Sequence, residues 1–474
     1  VRYPDIPIKR DDAVDVDLAI VGSGSAGFAA AIAARQRGYS VVMVERDRIG
    51  GTCVNVGCVP SKALLAAGEA RASAAELRFP GIATSAGPVD GAALVAGKAE
   101  LVDALQREKY VDLADEYGFE IQRGNARFAP GPALDVDGRR IDARHYLIAT
   151  GAQPWVPPVP GLEETGYLTS TSALELTELP ASLVVVGGNY VGLELGQLFA
   201  RLGVEVTLVE ALERLAPLEE PEVSDVIAEV LGEEGIGVWT KAALASVRRS
   251  PEGIVAEVAD GRTVSASAIL MATGRRPATE GLALEEVGVR LGRRQEVVVD
   301  ATLRTDNPRI WAAGDVTGAP QFVYVAGAHG TMVVENAFED AGRQADYSHL
   351  PRVTFTSPNL ASVGMTDAEA ASAGIACACR VLPLRYLPRA IVQRDTRGVA
   401  KVVAEADTGR VLGVHLAGPG AGDAILAATY ALEAGMTVDQ LAATWAPYLT
   451  GAEAIRLAAQ SFRTDVAKLS CCAT

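Results

Sequence analysis

Cys53 and Cys58, in "GGTCVNVGCVPSKALL", are the residues of this chain best spaced for redox chemistry. They stand five positions apart where a helix should begin. On an ideal helix five residues rise ~7.5 Å, beyond the ~7 Å Cα limit for a disulfide. A bridge therefore needs a distorted backbone, which Gly57 eases. A strained bridge is readily reduced, and a helix N-terminus lowers thiol pKa, so the reduced pair would be partly thiolate. Two buried structural thiols are the plainer alternative. Flanking glycines and a nucleotide loop about thirty residues upstream weigh against it. A second pair, Cys471 and Cys472, stands in the terminal "LSCCAT". A chain end is usually mobile and exposed, where paired thiols are a reactivity risk. A third pair, Cys377 and Cys379 in "ACACR", would share one face of a strand. It reads as incidental, with an accessory metal-handling role as the alternative.

The elements that must position the first pair can be read on either side of it. An apolar strand from Asp17 to Val21 runs into Gly22-x-Gly24-x-x-Gly27, then an alanine-rich helix and a strand ending at Glu45. This is a βαβ unit with a dinucleotide fingerprint: a tight glycine turn, a helix N-terminus for pyrophosphate and an acid for the ribose hydroxyls. "ASLVVVGGNYVGLELGQLFARLGVEVTLVEALERL" repeats the pattern in degraded form, with Gly187, Asn189, Gly192 and Glu210. Asn tolerates the left-handed region, so the turn should survive. Two modules suggest two dinucleotides. "YLIATGAQP" and "AILMATGRRP" each follow one module as a strand and a glycine turn, and "RIWAAGDVTG" is a buried strand ending in Asp315. That acid could meet a cofactor or cap the helix that follows. From about residue 350 the pattern becomes antiparallel strands and helices without a phosphate loop. The fold class is α/β: two Rossmann-like dinucleotide-binding domains plus a C-terminal α+β domain.

Gly22-Gly24-Gly27, Glu45, "GGTCVNVGCVPSK", both "ATG" turns, the second module and "AAGD" together resemble the flavoprotein disulfide reductases over nearly the whole chain. The resemblance implies FAD in the first module, NAD(P)H in the second and a homodimer through the last. It implies a division into a lead at 1–15, an FAD-binding domain at 16–152 and 281–349, an NAD(P)H-binding domain at 153–280 and a dimerisation domain at 350–474. Electrons would pass from NAD(P)H to flavin to the Cys53–Cys58 disulfide, with Cys58 next to the flavin and Cys53 meeting substrate. Lys62 and Glu194 match the pair beside the flavin. Cofactor contacts carried over by the resemblance fall at Gly22, Gly24, Ala26, Gly27, Glu45, Gly51, Thr52, Lys62, Ala126, Thr150, Gly151, Gly187, Asn189, Gly192, Glu210, Gly274, Asp315 and Val323.

Most of that family carry a catalytic histidine in a His-Pro-Thr-x-x-Glu motif. Here "WAPYLTGAEA" puts Tyr448 at that place, and none of the four histidines falls in the segment. A tyrosine with pKa near ~10 is a poor general acid/base at neutral pH. A dead paralogue or a plain core tyrosine is the bland alternative. "PYLT" and "LSCCA" together resemble the mercuric reductase subfamily. That resemblance implies that Cys471 and Cys472 of one subunit take Hg(II) from thiol complexes and pass it to Cys53 and Cys58 of the other for two-electron reduction. All four cysteines are then metal ligands, as suits a soft cation, and Tyr110 and Tyr448 are the tyrosines near the metal. Many members begin with a small Cys-x-x-Cys domain, which is absent or removed here. The family favours NADPH. Glu210 favours NADH because a carboxylate repels a 2′-phosphate, though Arg214 could offset it. A dihydrolipoamide dehydrogenase-like enzyme and a metal-sequestering protein are the alternatives.

Bulk properties fit. The 474 residues suggest two to four domains, and the net charge of −16 disfavours a nucleic-acid partner. No stretch reads as a membrane span or signal peptide, so the expected location is cytoplasmic.

Overall fold

The computed structural model describes residues 14–251 and 253–468; Cys471 and Cys472 lie outside them. The first sheet runs Glu120–Arg123, Val41–Glu45, Val14–Val21, Arg139–Ile148, Ala133–Val136, Ala126–Ala129. The central strand starts three residues before the expected Asp17, because Val14, Asp15 and Val16 pair with Ile141, Asp142 and Ala143. Leu18–Ile20 and Val41–Val44 are buried on both faces, as parallel strands covered on two sides should be. One cover is the helix Ser25–Gln36, with the helix Val323–Glu339 against it. Gly330 permits this close packing, since a Cβ there would strike the Ala26 carbonyl oxygen. Ile310–Ala312 pairs in parallel with Tyr146–Ile148. The chain therefore returns to the first sheet after building the second.

The second sheet is parallel, in the order Gly237–Trp239, Glu205–Val209, Ser182–Val186, Ala268–Met271. Beside it lies an antiparallel sheet of Leu244–Ser250, Gly253–Val258 and Thr263–Ala266. Ala152–Pro154 and Arg275–Pro277 pair antiparallel, fastening together the two segments that lead into and out of this module.

The third sheet is antiparallel: Arg352–Thr354, Asn359–Gly364, Val411–Gly418, Val399–Glu405, Cys377–Pro383. Its core is closed by the helices Ala421–Glu433 and Glu453–Gln460. Lys401, 2% exposed, reaches from this sheet to Glu220 (2.9 Å), Glu222 (3.0 Å) and Asp367 (2.8 Å). Glu220 caps the helix Pro221–Glu233 of the second module, so a buried charge cluster joins the two.

Candidate active site

The helix expected at the thiol pair is two helices. Gly51–Asn55 carries Cys53 and stops at Val56; Cys58–Ala75 begins with Cys58. Gly57 occupies the break at φ −123°, where a Cβ would lie 2.9 Å from the Thr52 carbonyl oxygen. Close approach, rather than a left-handed backbone, is what demands glycine here. The break brings the two sulfurs within hydrogen-bonding reach, and both are free thiols. They are unequal. The hydrogen bond from Cys53, assisted by the charge of Lys62, lowers the Cys58 thiol to about 7. The same bond and burial hold Cys53 above its ordinary value. Near neutral pH Cys58 is therefore the partly ionised thiol and Cys53 the protonated one.

Lys62 lies one helical turn beyond Cys58, and its Nζ is 2.7 Å from Glu194 Oε2. Glu194 is buried on the helix Tyr190–Arg201. Its other oxygen accepts from the Phe355 N–H at 2.9 Å, and the Lys62 ammonium sits 4.6 Å from the Phe355 ring centroid. All three modules thus meet at one lysine.

Tyr110 sits in a π-helical stretch, Arg107–Val111, edge-on to Phe28 with centroids 4.8 Å apart. Burial raises its phenol pKa, and its ring lies against Gly50, the N-cap of the helix that carries Cys53, where a Cβ would come within 3.3 Å of it. Tyr448 belongs to the third module, just before the helix Glu453–Gln460, and is 49% exposed. The four histidines are engaged elsewhere. His145 packs on Trp311 and Phe338, and His329 bonds Gly314 N–H and Tyr347. His349 meets Glu433, and His415 meets the Met365 carbonyl.

The two glycine loops share one design. Gly22 has φ 102°, and a Cβ there would strike the Ala149 carbonyl; a Cβ on Gly27 would strike Gly22 itself. Gly187 has φ 111° and faces Ala272 in the same way, and Gly192 abuts Gly187. Asn189 does not take the left-handed conformation expected of it. Like Gly24 it is an extended N-cap, at φ −111° against −76°, so the substitution costs no backbone strain. The strand-end acids also correspond. Glu45 accepts from Ser23 N–H (2.9 Å), Ser23 Oγ (2.6 Å) and Asp47 N–H (2.8 Å). Glu210 accepts from Gly188 N–H (2.5 Å) and Leu212 N–H (2.7 Å). Each acid fixes its own loop.

Asp315 lies in the short 3-10 turn Gly314–Thr317. It does not cap the following helix, whose N-cap is Phe322. Burial raises its carboxyl pKa while the Arg275 charge lowers it. Arg275, overlooked in the sequence, reaches Thr52 Oγ1 at 3.4 Å and also donates to the Ala152 carbonyl. "ATGRRP" against "ATGAQP" was its only signal. Gly51 abuts Gly24, so Gly51 and Thr52 border the first loop, and Ala26 lies in the first turn of its helix. Gly151 (φ 68°) and Gly274 (φ 116°) are the two "ATG" turns. Val323 begins its helix, and Ala126 pairs with Val136 at the sheet's far edge. Two buried polar atoms without a protein partner lie at the loops, Thr150 Oγ1 at the first and Asn189 Oδ1 at the second. Groups of this kind suit polar cofactors at both loops.

A family model described as pyridine nucleotide-disulphide oxidoreductase matches residues 16–330, and the dimerisation domain of that family matches 350–459. This chain belongs to the pyridine nucleotide-disulphide oxidoreductases. It is 60% identical to a mercuric reductase of Streptomyces lividans over 96% of this chain and 98% of that one. It is 47% identical to one of Staphylococcus aureus over 99% and 86%. Among solved structures, the Cu(II) complex of the HOCl-induced flavoprotein disulfide reductase RclA from Escherichia coli superposes with a TM-score of 0.86 at 30% identity, over 95% of this chain and all of that one. LpdA from Mycobacterium tuberculosis gives 0.84 at 29% identity, over 95% and 100%. As a pyridine nucleotide-disulphide oxidoreductase the protein uses FAD and NAD(P)H and is a homodimer. Ile391, Val392, Leu426, Tyr430 and Trp445 expose apolar surface on its dimerisation domain. Among the described residues no helix is long and apolar enough to cross a membrane.

Proposed function

We propose that this chain reduces Hg(II) to Hg(0) with NAD(P)H as the electron source. The observation that carries this reading is the company of the thiol pair: Tyr110 stands beside it, and every histidine of the chain is engaged elsewhere. Reduction of an organic disulfide needs a proton for the leaving thiolate. Reduction of a thiol-bound metal does not.

The chemistry a bound FAD would supply is transfer of an electron pair, received as hydride from NAD(P)H, to the thiol site. The loop Gly22–Gly27, Glu45, Gly51, Thr52, Thr150 and Asp315 would hold FAD, and the loop Gly187–Gly192 would hold the coenzyme. Lys62, fixed by Glu194, would place positive charge beside Cys58 and keep that sulfur ionised. Cys471 and Cys472 would take Hg(II) from small-thiol complexes. Exchange then makes two S–Hg bonds at Cys53 and Cys58 as two others break, and the Cys53 proton leaves with a departing thiolate. Two electrons convert Hg(II) to Hg(0) and free both sulfurs.

The proposed division is FAD at 16–152 and 281–349, NAD(P)H at 153–280 and dimerisation from 350. The return of Ile310–Ala312 to the first sheet supports it. NAD(P)H as reductant supports a cytoplasmic setting.

The test is Hg(II)-dependent NAD(P)H oxidation in excess thiol, with Hg(0) vapour collected, beside assays with glutathione disulfide and lipoamide. Mercury turnover with vapour release is expected. Turnover with organic disulfides alone would assign the chain to a disulfide reductase instead.

A further inference from the structure

We propose that Cys377 and Cys379 form a second thiol site that binds one Hg(II) at the edge of the third sheet, apart from the redox pair. The strand Cys377–Pro383 is an edge strand, paired on one side only with Val399–Glu405. Alternation puts Cys377 and Cys379 on one face, and their sulfurs lie 3.8 Å apart. Both are half-buried, against Ala370, Ile375, Val403 and Leu412.

Two features of this setting select the ion. The first is ligand number. Among the described residues no third Cys, His, Asp or Glu joins the pair in a metal-binding group. Zn(II) demands four ligands and is poorly served. A soft, thiophilic ion content with two thiolates is well served. The second is charge. One Hg(II) with two thiolates is neutral, which suits a half-buried face packed on Ala370, Val403 and Leu412, where the nearby Lys401 and Asp367 charges are already paired with each other. Binding makes two S–Hg bonds. The two thiols that carried Hg(II) in solution leave with the two protons. No electrons move, so the step stands whether or not the redox site turns over.

The chain's six cysteines make three pairs, so the site can be isolated. Holoenzyme reduced with dithiothreitol and desalted is dialysed against mercuric chloride with competing free cysteine. Bound mercury is then counted per protomer. Cys377→Ser with Cys379→Ser should retain one Hg(II) fewer than the wild type, with FAD content and Hg(II)-dependent NAD(P)H oxidation unchanged. Cys379→Ser alone should lose the same equivalent. Zn(II) retention should be equal in all three. In the converse variant, with Cys53, Cys58, Cys471 and Cys472 all replaced by Ala, one Hg(II) should remain bound. Equal mercury in wild type and double variant, or none on the converse variant, overturns the site. Zn(II) loss matching the Hg(II) loss overturns the two-ligand selectivity.

Discussion

Lys62 and Glu194, 132 positions apart in the chain, meet at 2.7 Å beside the thiol pair. The contact sets two opposing influences on Cys58: the Lys62 charge favours the thiolate and the Glu194 charge disfavours it. Lys62→Met should therefore raise the Cys58 midpoint from about 7 by about one unit, or about 1.4 kcal/mol. Glu194→Gln should lower it. The pH dependence of Cys58 alkylation by iodoacetamide in the reduced enzyme, mapped by mass spectrometry, reads both. An unmoved midpoint in Lys62→Met would mean that Cys53 alone sets the thiolate.

Tyr110 offers a separable test of metal handling. Tyr110→Phe keeps the edge-on contact with Phe28 and removes only the hydroxyl. Mercury turnover should fall about tenfold, equivalent to about 1.4 kcal/mol of barrier. NAD(P)H oxidation with ferricyanide should not change, since that reaction bypasses the thiols. Tyr448→Phe should show the same selectivity. A parallel loss of ferricyanide activity would make either tyrosine a cofactor contact instead.

Local patterns were legible in the sequence, and distant pairings were not. Gly22 and Gly27 declare themselves because hard-sphere contacts leave their positions no alternative. The second loop was recognised, but the wrong residue was given its strain: spacing shows which positions correspond, while only φ shows that Gly187 bears the left-handed turn and Asn189 does not. The spacing of the paired cysteines showed the need for a backbone break between them, which the two closely joined helices supply. That Cys58 rather than Cys53 is the more acidic thiol depends on their mutual hydrogen bond and on Lys62. Arg275 and Phe355 reach the site from 223 and 161 positions away from the residues they touch, and no short window contains such partners.

Coenzyme choice turns on Glu210. Its carboxylate is held by Gly188 and Leu212 N–H groups, so it does not swing away from the loop. Arg214, the nearby cation that could offset it, donates instead to the Pro217 and Glu219 carbonyls, and Lys241 is paired with Glu213. A 2′-phosphate would meet a fixed negative charge. The kcat/KM for NADH should exceed that for NADPH by at least about tenfold, about 1.4 kcal/mol. An NADPH preference would show that Arg214 leaves its carbonyl partners on binding.

The terminal thiols make a distinct demand on the dimer. If they act in trans, Cys471→Ala with Cys472→Ala should slow mercury turnover while leaving coenzyme-driven flavin reduction intact. Subunits of that variant mixed with inactive Cys53→Ala subunits should regain activity, because one of the two sites in each hybrid is then complete. Failure of the mixture to exceed its parents would place delivery within a single subunit.

Lys401 tests whether the second and third modules are held together by charge. It is almost wholly buried, as is Glu220, while Glu222 and Asp367 are partly exposed. Lys401→Met removes the only cation named in this cluster and leaves Glu220 buried without it. A loss of about 3 kcal/mol is expected, at the low end for breaking a buried pair because two of the carboxylates reach water. The pH dependence follows from the two shifts. Asp367 lies below its ordinary value because Lys401 donates to it, so its contribution is present above the unfolded value, about 3.9, and lost as pH falls through the folded one. Lys401 is raised by its three carboxylate partners against the cost of burial. Its contribution is full below about 10.4 and lost as pH rises through the folded value. Thermal inactivation of the wild type should thus be slowest between about pH 4 and 10 as far as this cluster governs it. The difference from Lys401→Met should shrink outside that window. A difference that persists undiminished at pH 3 would make the loss one of packing rather than charge.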